Sequence, residues 1–251
     1  VVDATVAAAE QLQLSKSRPP WQEPLPTQIS LVSLIRHRQS STNDVAGRIV
    51  TLGMIDDPQR QDQYPAQIDL ANGGSLAVFG NGGSGKTTLL TAAACSAAVR
   101  DSEAGGGTLT IIGFDFASRE LGLLTHLPQC ESVATADDLE SVTRLIALLE
   151  AQLEHRRTQA SQAAIDGQAV QEPSPILVVI DGYDNRAQAF ESDQAVGLSR
   201  APWLDKVNRL ITDGRQVGIH TVFTCGRRAS VRSSVLSAVT NRITLRQSEE
   251  G

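Results

Sequence analysis

Ser75-Leu76-Ala77-Val78-Phe79-Gly80-Asn81-Gly82-Gly83-Ser84-Gly85-Lys86-Thr87-Thr88 joins an apolar, strand-like run to a glycine-rich turn. The turn ends in Lys-Thr and opens directly onto Leu89-Leu90-Thr91-Ala92-Ala93-Ala94, a strong helix former. Gly80, Gly82, Gly83 and Gly85 leave the backbone free to curve round a phosphate chain, so that successive N–H groups and the helix N-terminus point at one anion. Within that loop Asn81, Ser84 and Thr88 complete the phosphate-binding stretch. Lys86 would reach the β- and γ-phosphates as a point charge, and Thr87 would offer a hydroxyl to Mg²⁺. Spacing, lysine, threonine and the strand-to-helix setting together read as a P-loop for Mg-ATP.

A P-loop needs a second element, a hydrophobic strand that ends in an acid. Ile176-Leu177-Val178-Val179-Ile180-Asp181 supplies it, and Asp181 would hold the Mg²⁺ shell. Hydrolysis also needs a group that activates or orients water. Additional-strand ATPases commonly place Glu directly after this Asp, whereas this chain has Gly182. Asp184 is a candidate substitute base; the alternative is a surface turn acid.

Further out, short β-branched or apolar runs alternate with helical stretches, the pattern of strands joined by crossover helices. Strands are predicted near residues 48–53, 75–80, 108–114, 176–181, 219–224 and 242–246. The clearest helix follows Thr135, whose spacing to Asp138 resembles a capping box, and carries Leu139, Val142, Leu145, Ile146, Leu149 and Leu153 on one stripe. Residues 158–175, rich in Gln, Ala, Ser, Gly and Pro, predict a mobile connection. Residues 1–47 predict an Ala-rich helix and a Pro-rich lead-in packed on the core, with Trp21 as a surface anchor, and 48–251 a single α/β P-loop domain.

Composition narrows the function. The 251 residues are 41% hydrophobic and only 4% aromatic, with a formal net charge of −6. That balance opposes non-specific binding to a phosphate backbone, and DNA is not an expected partner. The basic cluster Arg227, Arg228, Arg232 predicts at most a local patch. Cys95, Cys130 and Cys225 have no metal or disulfide spacing, and no second ligand sits near His126 or His220. No apolar run approaches the roughly 20 residues that span a bilayer, so no membrane contact is expected. Without an initiating Met, the chain reads as excised from something longer.

At these residues the sequence resembles the FtsK/SpoIIIE class of P-loop motors and, more closely, the EccC ATPases of type VII (ESX) secretion. Trp21-Gln22-Glu23-Pro24-Leu25-Pro26 is similar to a WxxPLP segment of those domains. Leu52-Gly53-Met54-Ile55-Asp56-Asp57-Pro58 is similar to the LGxxDxP segment before their P-loops. Asp115-Phe116, Leu127-Pro128 and Val133-Ala134 follow the same order of strand-end acid, turn and short strand. Gly218-Ile219-His220-Thr221-Val222-Phe223-Thr224 resembles the GIHxxxAT strand, but Gly226 stands where a γ-phosphate-sensing Gln is expected. Asn241-Arg242-Ile243-Thr244-Leu245-Arg246 resembles the closing TRIxxR strand.

The resemblance implies a RecA-like (FtsK-type) fold, a mostly parallel sheet flanked by helices, with ATP and Mg as cofactors. It further implies a cytoplasmic domain of a membrane-associated secretion complex, with neighbouring ATPase domains as partners and secreted proteins as possible substrates. Arg242 becomes a trans-acting finger toward a neighbouring domain; the alternative is a local salt bridge. With Gly182 and Gly226 departing from the catalytic pattern, the chain resembles the later, degenerate EccC domains, binding ATP with weak or absent hydrolysis. If Gly182 is the main lesion, Gly182→Glu is expected to raise hydrolysis with little change in affinity; the alternative is that Gly226 or a neighbouring domain limits the chemistry. A signal-peptide-binding module and an active DNA translocase are the alternative functions.

Overall fold

The computed structural model describes residues 8, 11–12, 22–36, 48–169, 172–185 and 200–246. Its strands are β1 (Ile49–Asp57), β2 (Asp62–Asp69), β3 (Leu76–Phe79), β4 (Thr110–Asp115), β5 (Cys130–Thr135), β6 (Ile176–Asp181), β7 (Ile219–Cys225) and β8 (Asn241–Thr244). The α-helices are α1 (Leu31–Arg36), α2 (Leu70–Gly73), α3 (Lys86–Glu103), α4 (Leu139–Ile165), α5 (Arg200–Asp213) and α6 (Ser233–Ala238). Trp21 and most of the predicted N-terminal helix lie outside the described residues.

Six strands form one sheet in the order β5-β4-β6-β7-β3-β8, and every pairing in it is parallel. A parallel sheet needs both faces covered, because each crossover lays a helix on one of them. The strand β6, Ile176–Asp181, is accordingly buried at all six positions. One face packs Val142, Ile146, Leu149 and Leu153 of α4 and Val207, Leu210 and Ile211 of α5 against Ile112, Phe114, Val178 and Ile180. The other packs Leu90, Ala93, Ala94, Ala97 and Ala98 of α3 against Leu76, Val78, Leu177, Val179 and Val222.

The predicted strand at 48–53 does not join that sheet. It is the start of β1, which pairs antiparallel with β2 in a separate two-stranded ribbon. The signal for β2 was weak because Asp62-Gln63-Tyr64-Pro65-Ala66-Gln67-Ile68-Asp69 is polar and contains a proline, tolerated in a ribbon with no further neighbour. The ribbon packs on α3. Thr51 donates its N–H to Ser96 Oγ at 2.8 Å, and both residues are fully buried. With sheet on one side and ribbon on the other, α3 has little room for a polar face, which accounts for its run of alanines.

Two further predictions are corrected. The cap of α4 is Asp138, not Thr135: the Asp138 carboxylate accepts from Ser141 N at 3.0 Å. These bonds from Ser141 hold the Asp138 carboxyl below its ordinary value. Helix α4 also continues to Ile165, through residues expected to form a connection. Its last turns carry no buried residue, so they have no apolar period to detect. Ala and Gln propensity sustains them, together with contacts from Arg156 Nη1 to Val217 O at 2.9 Å and Arg157 to Asp213 at 3.1 Å.

His220 lies at the base of β7, 2% exposed. Burial pushes its pKa down to about 4 from 6.5, assisted by Arg48 and opposed by Asp69. The folded state therefore holds a neutral ring while the unfolded chain takes up a proton below pH 6.5. Stability conferred by the neutral ring is complete above that value and is lost as pH falls toward 4, by up to about 3 kcal/mol. Urea unfolding at pH 7.5 and pH 4.5 should show this loss, and His220→Leu should flatten the slope between them.

Candidate functional site

The P-loop lies at the C-terminal end of β3, where the parallel strands of a doubly covered sheet leave a crevice. Gly85 caps α3 with φ +90° and makes no side-chain cap bond, which leaves the first helical N–H groups directed at a ligand. Gly80, Asn81, Gly82, Gly83, Lys86 and Thr87 line a cavity of about 470 Å³. Lys86 Nζ is folded across the loop onto Asn81 O at 2.8 Å. Ser84 packs under the turn, where a Cβ on Gly80 would come within 2.5 Å of Ser84 Oγ. Thr88 is exposed on the first turn of α3; it, Ser84 and Gly85 shape the loop without lining the cavity.

β7 separates β3 from β6, so Asp181 sits two strands away from the P-loop. The helix that follows the loop closes the gap. Thr87 Oγ1 donates to Asp181 Oδ2 at 2.7 Å. Asp181 is 1% exposed, and its other oxygen, Oδ1, accepts from Thr224 Oγ1 on β7. Thr224 Oγ1 in turn accepts Gly182 N–H at 2.8 Å. A chain of three groups thus orients the carboxylate, as supporting shells do around metal ligands.

The donor chemistry fits Mg²⁺. Hydroxyls of Thr87 and Ser118 and one carboxylate converge, with room for phosphate oxygens beside them, the oxygen set that a small hard cation takes. Among the described residues no cluster of three or more His, Cys, Asp or Glu offers an alternative metal centre. Ser118 and Thr224 were not singled out from the sequence. Hydroxyl residues at strand ends are common, and only the register of β4, β6 and β7 marks these two.

The two departures from the catalytic pattern differ in kind. Gly182 has φ +73°, and a Cβ there would lie 3.0 Å from Ala117 Cβ and 3.2 Å from the Phe116 carbonyl carbon. The backbone that lets Gly182 bond to Thr224 is one that side-chain-bearing residues rarely adopt. The expectation that Glu at this position simply restores hydrolysis is therefore opposed by the fold. Gly226 has ordinary φ, and its hypothetical Cβ meets only the end of the Asp184 side chain, at 2.9 Å to Oδ2. Asp184 lines the cavity, but its Oδ2 is engaged by Gly226 N–H at 2.9 Å. Arg242 is exposed on β8, where its guanidinium donates to Val239 O and Leu236 O. It does not line this cavity.

With the fold and the site in view, similarity to known proteins decides the family. Residues 33–251 match the FtsK/SpoIIIE family. The chain belongs to that family. Its relatives include ESX-5 secretion system protein EccC5 of Mycobacterium tuberculosis, 27% identical over 90% of this chain and 17% of the relative. Type VII secretion system protein EssC of Staphylococcus aureus is 21% identical over 98% of this chain and 16% of the relative. This FtsK/SpoIIIE chain thus spans about a sixth of the length of those curated relatives. Among solved structures, Thermomonospora curvata EccC (ATPases 2 and 3) in complex with a signal sequence peptide superposes with a TM-score of 0.67. It is 23% identical and covers 84% of this chain and 38% of that one. The observed architecture is that of an FtsK-type P-loop ATPase, a mostly parallel six-stranded sheet flanked by helices.

The contrast between the two glycines is measurable. Gly182→Glu should destabilise the fold by about 2 kcal/mol, from the left-handed backbone and the crowded Cβ. Gly226→Gln, which only displaces the Asp184 carboxylate, should cost less than about 1 kcal/mol. Chemical denaturation of both variants tests the difference.

Proposed function

We propose that this chain is an ATP-holding domain of a type VII secretion motor, binding Mg-ATP at the P-loop and hydrolysing it slowly. The observation that carries the proposal is the Thr87–Asp181 contact at 2.7 Å beside an intact phosphate loop. It coexists with glycine at both catalytic positions, Gly182 and Gly226. Among the described residues the binding groups converge, while neither Gly182 nor Gly226 carries a side chain that could activate water.

In this reading the loop N–H groups and the N-terminus of α3 receive the phosphates, and Lys86 leaves Asn81 O to reach the β- and γ-oxygens. Thr87 and Asp181 would hold the cation. Bound Mg²⁺ supplies charge neutralisation and a fixed phosphate geometry. Asp184 faces the same cavity, yet its tie to Gly226 N–H directs it to the end of β7, which favours a structural role over that of a base. Arg242 could reach a neighbouring ATPase domain only by leaving the Leu236 and Val239 carbonyls that it now bridges. Adjacent ATPase domains of a longer chain are the partners proposed, in the cytoplasmic part of a secretion complex. Among the described residues no helix is long and apolar enough to cross a membrane.

A second function, engagement of a secreted protein's signal segment, is supported by the signal peptide in the T. curvata EccC complex. This chain has an open cavity of about 440 Å³ away from the P-loop, lined by Arg156, Gln159, Ala163, Pro173 and Val217 among others.

The main proposal is tested by denaturing purified chain, identifying released nucleotide by mass and counting it per chain, alongside steady-state turnover. ATP is expected in the bound fraction, with turnover well below about 1 s⁻¹, the low end for ordinary enzymes. Lys86→Ala should weaken ATP binding at least about tenfold, or about 1.4 kcal/mol. Rapid turnover abolished by Lys86→Ala would instead identify a cycling ATPase.

A further inference from the structure

Three oxygens meet at the outer end of β6. Ser118 Oγ donates to Asp181 Oδ2 at 3.2 Å and lies 3.4 Å from Thr87 Oγ1. It therefore shares with Thr87 the single carboxylate oxygen that Thr224 leaves open. Ser118 is exposed and lines the same cavity as the P-loop, so its hydroxyl is available to a ligand there.

Its position is built rather than incidental. Asp115, 1% exposed at the end of β4, spends both carboxylate oxygens on the turn that carries Ser118. Oδ1 accepts from Ala117 N and Oδ2 from Leu121 N, both at 3.0 Å. Phe116 N donates to Asp181 O at 2.9 Å and fastens the start of the turn to the strand that bears the acid. Asp115 itself is thereby withdrawn from the cavity, and what it presents there is a hydroxyl.

We propose that Ser118 is a third protein oxygen in the shell of the divalent cation that accompanies the nucleotide, beside Thr87 and Asp181. The proposal rests on the nucleotide-binding function above. Each hydroxyl now donates to Asp181 Oδ2; with a cation in place each would turn a lone pair inward and its proton outward. Two hydroxyls and one carboxylate oxygen would leave the cation's other ligands to come from phosphate oxygens and water.

The test uses the whole 251-residue chain and a fluorescent ATP analogue, titrated with Mg²⁺ at fixed nucleotide and again in EDTA. Ser118→Ala should raise the Mg²⁺ midpoint about tenfold, the loss typical of removing a group around a metal. Its affinity in EDTA and its thermal midpoint should match wild type, and Ser118→Thr should restore the Mg²⁺ midpoint. An unchanged Mg²⁺ midpoint in Ser118→Ala, with wild type binding normally, overturns the role of Ser118 alone. Equal losses with and without Mg²⁺ also overturn it, showing that the serine only shapes the loop. Absence of saturable binding by the wild-type chain overturns this proposal together with the nucleotide-binding function.

Discussion

A carboxylate buried to 1% exposure at the end of a central strand has to be satisfied, and Asp181 is satisfied by three hydroxyls from three different elements. Thr87 arrives on the P-loop helix, Ser118 on the turn after β4, and Thr224 on the inserted strand β7. Leaving such a group unpaired would cost several kcal/mol. The cluster therefore sets the relative positions of helix, turn and strand as much as they set it. The burial of α3 between ribbon and sheet has the same consequence, since a helix held on two sides delivers Thr87 to a constant height over the strand ends.

The same cluster accounts for the chemistry that the fold supports and the chemistry that it resists. Gly182 donates to Thr224 only because its backbone adopts φ +73°. The residue after Asp181 is thus committed to orienting that carboxylate. At the end of β7 a backbone N–H takes the Asp184 carboxylate, occupying the place where a longer polar side chain would act. Both features stiffen a binding site, and neither supplies a base.

Much of this was legible in the chain. The alternation of apolar runs and helical stretches announced a parallel sheet, and the stripe from Leu139 to Leu153 announced the face of α4 that covers it. Gly80 to Thr87 and the run ending in Asp181 are local patterns whose spacing reflects their chemistry. The ribbon was only half legible, because β2 draws its order from β1 and α3 and not from its own polar sequence. The last turns of α4 were missed for a related reason: they extend past the packed stripe and show no period.

The sequence by itself determined the fold class and the phosphate loop, since both depend on residues close together along the chain. Tertiary structure decided which distant hydroxyls converge on Asp181, because register across four parallel strands brings together residues as far apart as Thr87 and Thr224. It also decided the meaning of Gly182. In one dimension that residue is an absent glutamate, whereas in the folded chain it is a backbone conformation on which the orientation of the acid depends.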